Sequence, residues 1–466
     1  MSPQLHEAAR PDQPAISSRP ASPEPSSSTS SAHDSSSSTF PTRSAKNDAP
    51  ESSKKPAAAK PRIIKTPPTL RRCLIEANTA VMTETVDFES LSYHDLDGSI
   101  LSPAHVLDAL NSPYIHYHLW VAVKMSLDDH DKRQMKAPDM HAAVLERLIV
   151  ELGKSMMDRA PGPHITFVDP RWHGSAPMML RNAIRLIDMF EESGFSRDSI
   201  VVTIPATEEG ILASNHLERK CHILTNLDLV GTLSHAAACA QSGANLVSIA
   251  VGPLLDWYEG RRKAKYQDIR THPGIEHIQA TAVYFKLHKH TTRLVGTSFR
   301  TLQELGPLGC LDAIVISKDN VEQLNGRPFP LIQSVPKTST AYTYAEEVPK
   351  GTAFKGKKSE FISFLSENDR SAIAGTMHTT LRKLKIKMEE IDEEIHKELS
   401  KQHTLRSPEN EPEVTWLKEE NPQCSKSTAE SPEKSDRTSD KETESTEEDE
   451  GHGKGEQDPR RQEPQY

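Results

Sequence analysis

Aromatic residues are scarce in this chain of 466 residues, at 5% of the composition, and long hydrophobic runs are missing from it. No apolar segment approaches the ~20 residues that a transmembrane helix needs. The first residues, MSPQLHEAARPDQPA, also lack the hydrophobic stretch of a secretory signal. The sequence therefore predicts a protein that neither spans a membrane nor enters the secretory pathway.

Cysteine is also sparse, and the spacing of the cysteines forms neither a Cys-x-x-Cys pair nor a disulfide framework. This pattern favours a reducing compartment and predicts a cytoplasmic protein. The formal net charge of −10 argues against a general nucleic-acid binder. We expect neither a bound metal nor a cofactor. The five cysteines are Cys73, Cys221, Cys239, Cys310 and Cys424.

The two ends of the chain have a composition unlike the middle. Residues 1–66 are rich in Ser and Pro, and residues 403–466 are mostly acidic and polar. Such segments cannot bury enough apolar surface to offset chain entropy, so both are predicted to be disordered tails. The region between them is long enough for one large domain.

Short apolar runs alternate with amphipathic helical patterns between residues 67 and 325. The runs are continuous and often β-branched, as buried parallel strands are. Eight such strands in about 250 residues predict an α/β fold, a (β/α)8 TIM barrel. An open doubly wound sheet is the structural alternative, but no GxGxxG follows the first strand. The predicted strands are 79–83, 99–101, 164–168, 200–204, 226–230, 245–250, 293–297 and 313–316.

Residues 326–402 are predicted to form a polar connector and a long C-terminal helix that begins near Glu367. The apolar residues of this helix recur in steps of four and three, which is an a/d-like stripe. The stripe could pair with a second copy in a homodimer or pack back on the barrel. We favour packing on the barrel.

The stretch LSHAAACAQSGANLVSIAVGPLLDWYEGRRK, residues 233–263, resembles the signature of the transaldolase family. HPGIEHIQATAVYF at 272–285, LVGTSFRT at 294–301 and SEFISFLSEND at 359–369 are similar to that family too, in matching order. The resemblance implies a (β/α)8 barrel with a terminal helix across its mouth. It also implies transfer of a dihydroxyacetone unit between sugar phosphates of the pentose phosphate pathway, through an imine on a lysine that ends strand four.

By this resemblance, the position of the imine lysine is occupied by Thr203, within VVTIPATEEG at 201–210. No lysine lies between Asp198 and Arg219, so a shifted alignment does not supply one. A threonine hydroxyl cannot form an imine, and the mechanism of the family would fail at its first step.

The resemblance assigns further roles to residues at the strand ends, which is where this architecture carries its chemistry. The acid of strand one falls on Glu84, while the acid of strand three is replaced by Phe167. The asparagine of strand two falls on Ser102, and the threonine of strand five falls on Asp228. The candidate catalytic residues are therefore Glu84 and Asp228, and the candidate substrate-binding residues are Asn226, Ser248, Arg300 and Ser102.

Phosphate recognition in the family uses two arginines, according to the same resemblance. One of these positions is Pro253, and the other keeps its arginine as Arg300. A single arginine can still hold a phosphate through two parallel hydrogen bonds. We expect a sugar phosphate or another small anionic ligand as the partner of this chain.

Two function classes stay open from the sequence. The first is a degenerate or repurposed barrel that binds a ligand without Schiff-base chemistry. The second is an active transaldolase or aldolase-type enzyme, which would act on sedoheptulose 7-phosphate and glyceraldehyde 3-phosphate through a relocated lysine or a modified mechanism. Lys318, just after strand eight, is the candidate for that lysine. Asp169, Glu208 and Glu209 are predicted to join the carboxylates at the mouth.

Overall fold

The computed structural model describes residues 68–406, apart from short internal gaps. The predicted N-terminal tail, 1–66, lies outside the described residues, and only 403–406 of the predicted C-terminal tail are described, as the end of a helix. Within the described part of the chain, no helix is long and apolar enough to cross a membrane. The gaps are 89–90, 92–95, 113–114, 134–136, 161, 264, 325, 327–328, 330–333, 351–353 and 355–362.

The described residues contain eight parallel strands that close into a barrel in sequence order, because β1 pairs with both β2 and β8. This arrangement confirms the predicted (β/α)8 fold. The strands are β1 Ala80–Glu84, β2 Gly98–Ile100, β3 His164–Phe167, β4 Ile200–Pro205, β5 Leu224–Asp228, β6 Leu246–Ala250, β7 Arg293–Thr297 and β8 Ala313–Ser317.

Helices lie between the strands and around the barrel. The helices before β6 are α1 Leu70–Ala77, α2 Pro103–Leu110, α3 His116–Arg133, α4 Ala137–Met157, α5 Ala176–Glu192, α6 Glu208–His216 and α7 Leu233–Ser242. The later helices are α8 Val251–Arg262, α9 Pro273–Leu287, α10 Lys318–Glu322, α11 Thr340–Glu347, α12 Glu367–Ile373 and α13 Thr379–Arg406.

The boundaries of seven strands agree with the predicted ones to within one residue, but β5 begins and ends two residues earlier than predicted. It ends at Asp228 because Leu229 has a φ of 67°, in the left-handed region, which breaks an extended strand. The apolar run continues past the strand and does not reveal this turn. The shift matters for the site, since it makes Asp228 the last residue of β5.

Each strand buries both of its faces, which explains its continuous apolar sequence. One face packs against the surrounding helices, and the other fills the barrel with a separate cluster that includes Met82, Ile165 and Val201. Side chains alternate along a strand, so every second residue faces the same side. Glu84 lies two residues after Met82, and Thr203 lies two residues after Val201, so both point toward the barrel interior. The polar strand ends therefore converge above an apolar plug.

The predicted C-terminal helix is present and contains one π-helical turn. α12 and α13 are joined by a π-helical turn, Ala374–His378. Met388, Ile391 and Ile395 of the apolar stripe are fully buried. α13 packs on α2, α3 and α4, so its own chain covers this part of the stripe.

Candidate active site at the barrel mouth

Three neighbouring strands carry a chain of hydrogen bonds at the carboxyl end of the barrel. Asn226 on β5 donates from Nδ2 to Thr203 Oγ1 on β4 at 3.1 Å. Ser248 on β6 donates from Oγ to Asn226 Oδ1 at 2.8 Å. The structure thus brings together two predicted ligand-binding residues and the residue at the lost lysine position. Because both functional groups of the amide are bonded, its orientation is defined.

Lys318 is placed on a different side of the mouth. It is the first residue of α10, directly after β8, and its side chain is 46% exposed. Its ammonium group forms an ion pair with Asp87, which follows β1. In the strand order, β8 and β1 are adjacent to each other, whereas Asn226 lies on β5, on the opposite side of the barrel.

The two candidate catalytic carboxylates end strands on opposite sides of the barrel. Burial, reinforced by the negative charge of Asp228, raises the pKa of Glu84 to about 7. Burial also raises the pKa of Asp228 to about 6, and a backbone contact with Leu229 offsets part of the effect. Oδ1 of Asp228 is enclosed, and no group of the described chain hydrogen-bonds to it. Two carboxyl groups that titrate near neutrality can exchange protons with a ligand.

Ser102 contacts a residue that the sequence did not single out, His105. Ser102 caps the N-terminus of α2, but its hydroxyl bonds to Nδ1 of His105 at 2.8 Å and to no backbone amide. Nε2 of the same ring lies 3.9 Å from Oε2 of Glu84. Burial lowers the pKa of His105 to about 4, so its ring is neutral at pH 7. The spacing of three residues from a helix cap is the only sequence signal for this contact.

Phe167 and Pro253 occupy positions where the resemblance predicts polar groups. Phe167 ends β3 on the interior face and is 3% exposed. Pro253 lies in the first turn of α8 and is exposed. Neither side chain can transfer a proton or donate a hydrogen bond to an anion.

Arg300 is enclosed by carboxylates of its own chain. Its guanidinium contacts Glu304 at 2.7 Å, Asp256 at 2.8 Å and Glu259 at 3.2 Å. Desolvation opposes its charge, but the bonds to Glu304 and Asp256 outweigh this effect and raise the pKa of Arg300. An incoming phosphate would have to displace these carboxylates, two of which lie on α8.

Asp169 does not join the carboxylates of the mouth. It is buried, and it forms an ion pair with Arg171 at 2.6 Å. Arg171 also pairs with Asp392 of α13, so the three residues connect the turn after β3 to the C-terminal helix. Glu208 and Glu209 lie in the first turn of α6 and line a cavity beneath α12 and α13, whereas Glu84 lines another cavity. The predicted cluster is therefore divided in space.

Metal binding finds no support in the side-chain arrangement. Among the residues that the structure describes, no group of three or more histidines, cysteines or carboxylates is placed to hold a metal ion. The polar groups that the described residues place at the mouth are the two carboxyl groups, the neutral imidazole and the bonded hydroxyl and amide groups.

A closed eight-stranded barrel with convergent polar groups at the carboxyl ends of its strands is the architecture of the TIM-barrel proteins. Residues 121–359 match the model of the transaldolase/fructose-6-phosphate aldolase family. The chain therefore belongs to that family.

Curated relatives agree with this assignment. A transaldolase of Fusarium oxysporum f. sp. lycopersici is 31% identical over 254 residues, which are 54% of this chain and 77% of the relative. A transaldolase of Saccharomyces cerevisiae is 30% identical over 259 residues, covering 55% of this chain and 76% of the relative. A transaldolase of Pseudoalteromonas atlantica is 30% identical over 268 residues, which cover 57% of this chain and 82% of the relative.

Proposed function

We propose that this chain is a repurposed transaldolase-family barrel that binds a sugar phosphate or a similar small anion without Schiff-base transfer. The observation that carries the proposal is the hydroxyl of Thr203, which lies where the resemblance requires an amine. It accepts a hydrogen bond from Asn226 on the next strand. A hydroxyl cannot condense with a ketone to give an imine.

Two further features support the loss of transfer activity. Phe167 puts a buried aromatic ring at the strand end where the resemblance requires an acid. Lys318, the candidate for a relocated amine, is a partly exposed residue paired with Asp87. A Schiff-base lysine is normally activated by desolvation or by a neighbouring cation, and a carboxylate partner has the opposite effect.

One observation favours the second candidate function, an active enzyme of aldolase type. Glu84 and Asp228 have pKa values of about 7 and about 6, as acid and base groups that work near neutral pH do. Such an enzyme would still need an electron sink for the carbon–carbon bond, and an imine on Lys318 is the candidate that the sequence offers.

Borohydride trapping separates the two functions. The full-length protein is mixed with fructose 6-phosphate, reduced, and analysed by intact mass, with an active transaldolase as the positive control and Lys318→Gln as the matched variant. We expect no adduct on this chain. A stable adduct on any lysine would overturn the proposal, and its loss in Lys318→Gln would establish the relocated amine.

We also propose a cytoplasmic location. Cys73, Cys239 and Cys310 are buried free thiols, as they would be in a reducing compartment. Pairing with a second copy of the chain stays a prediction.

A further inference from the structure

A cavity in the outer layer of helices lies among α8, α9 and α11. It has a volume of about 440 Å³, which is within the range of small-molecule sites. The described residues that line it all belong to these three helices, and none of them lines a cavity at the mouth of the barrel. Tyr258 of α8, His277 of α9 and Tyr344 of α11 each contribute an aromatic ring to its wall.

The three rings lie close together and at different inclinations. The ring centroids of Tyr258 and His277 are 5.5 Å apart, with an angle of 33° between the ring planes. The centroids of His277 and Tyr344 are 4.9 Å apart, and these two planes are almost perpendicular, at 87°. Burial lowers the pKa of His277, so its imidazole is neutral at pH 7 and does not repel a cation. Closely spaced aromatic rings in several orientations are the material of a cation-binding cage.

The charges on the wall of this cavity are negative. Glu276 and Glu347 line it, and no lysine or arginine is among its described lining residues. Glu276 accepts a hydrogen bond from the hydroxyl of Thr340. Neither glutamate forms an ion pair with a described lysine, arginine or histidine. Their charges are therefore available to a cationic ligand.

The tyrosine hydroxyl groups respond to this negative potential. Burial raises the pKa of Tyr344 to about 12, and the charges of Asp369 and Glu347 add to the effect. Burial also raises the pKa of Tyr258, and the charge of Arg261 opposes this rise only in part. A potential that disfavours a tyrosinate anion favours a cation at the same place.

We propose that this cavity binds an alkylated ammonium group, such as the trimethylammonium group of choline, against the rings of Tyr258, His277 and Tyr344. The methyl groups of such a cation pack on aromatic surface, and its charge is attracted to the faces of the rings. Glu276 and Glu347 attract the same charge. An unmodified ammonium group is more strongly hydrated, so it gains less from these walls. The inference goes beyond the proposed function and does not depend on it, because the cavity is separate from the mouth.

An NMR titration of the full-length protein at low ionic strength tests the proposal with three small probes. Choline carries both the charge and the methyl groups, its tert-butyl analogue has nearly the same shape without the charge, and ethanolamine has the charge without the methyl groups. We expect choline to bind and each of the other two to bind at least about tenfold more weakly.

A peptide that contains one trimethyl-lysine distinguishes the two sources of such a group. Tighter binding of this peptide than of choline would assign the cavity to a modified side chain of another protein. Weaker binding of the peptide would assign the cavity to a free small molecule.

Tyr344 and Glu347 offer variants with matched controls. Tyr344→Leu removes a ring and should weaken choline binding about fivefold, whereas Tyr344→Phe keeps the ring and should bind within about twofold of the unmodified chain. Glu347→Gln should weaken binding about threefold. Its control is Glu346→Gln, which removes the same charge from an exposed position that does not line the cavity. Glu346→Gln should bind choline as the unmodified chain does.

Equal affinities of the unmodified chain for choline and for its uncharged analogue would overturn the proposal, because the rings would then act as apolar surface alone. Failure of choline to bind would overturn it as well. So would an equal loss in Glu346→Gln and Glu347→Gln, because the effect would then be long-range charge. If the thermal transition shows that Tyr344→Leu does not fold, Tyr344→Phe and the two glutamate variants still decide the outcome.

Discussion

The substitution Glu84→Gln tests whether the mouth of the barrel holds a carboxyl group with a shifted pKa. Burial and the charge of Asp228 raise the pKa of Glu84 from its ordinary 4.5 to about 7 in the folded protein. The folded chain therefore keeps a proton that the unfolded chain releases at lower pH. The stability that this protonated group contributes is fully present below pH 4.5 and is lost as the pH rises through about 7.

The size of the effect follows from the interval between the two pKa values, at about 1.4 kcal/mol for each pH unit. It corresponds to a loss of about 3 kcal/mol from the free energy of unfolding between acidic and mildly alkaline solution. Glutamine has nearly the same shape and stays neutral throughout. Glu84→Gln should therefore become more stable, relative to the unmodified chain, by up to about 3 kcal/mol as the pH is raised.

Urea unfolding between about pH 4.5 and pH 8 measures this difference. The titration of Asp228 is present in both proteins, so it largely cancels. Glu390→Gln is the matched control, because Glu390 is an exposed glutamate of α13. If the unmodified chain and Glu84→Gln lost stability in parallel across this range, Glu84 would not have a raised pKa, and the argument for an acid–base pair at the mouth would fail.

Two further substitutions test other parts of the structure. Thr203→Lys should break the hydrogen bond with Asn226. Its transfer activity should still be at least about a hundredfold below that of an active transaldolase, because the acid of β3 is missing. A rate near that of the active enzyme in a spectrophotometric transfer assay would contradict this. Arg171→Gln leaves Asp169 buried without its cation and should lower the free energy of unfolding by about 3 kcal/mol, measured in urea. The control is Arg197→Gln, which breaks an exposed ion pair with Glu191. An equally small change in the free energy of unfolding of both variants would show that the ion pairs of Arg171 do not stabilise the fold.

The barrel could be predicted from the sequence because its determinants are local. Runs such as 313–316 are continuous and apolar, and each is followed or preceded by a helical pattern, which fixes strand type and order before any contact is known. The end of β5 could not be predicted, because the left-handed conformation of Leu229 falls inside an apolar run. The π-helical turn within the last helix, at Ala374–His378, has no sequence signal either.

The amino-acid sequence by itself determined which side chains reach the mouth, because residue type and strand parity are properties of neighbouring residues. It determined that β4 carries Thr203, and no lysine, near its carboxyl end. Only the tertiary structure decided what those side chains do. Arg300 forms an ion pair with Asp256, which is 44 residues away in the sequence. Arg171 forms an ion pair with Asp392, which is 221 residues away in the sequence. Ion pairing and desolvation depend on distances that exist only once the barrel has closed, so no local pattern could disclose them.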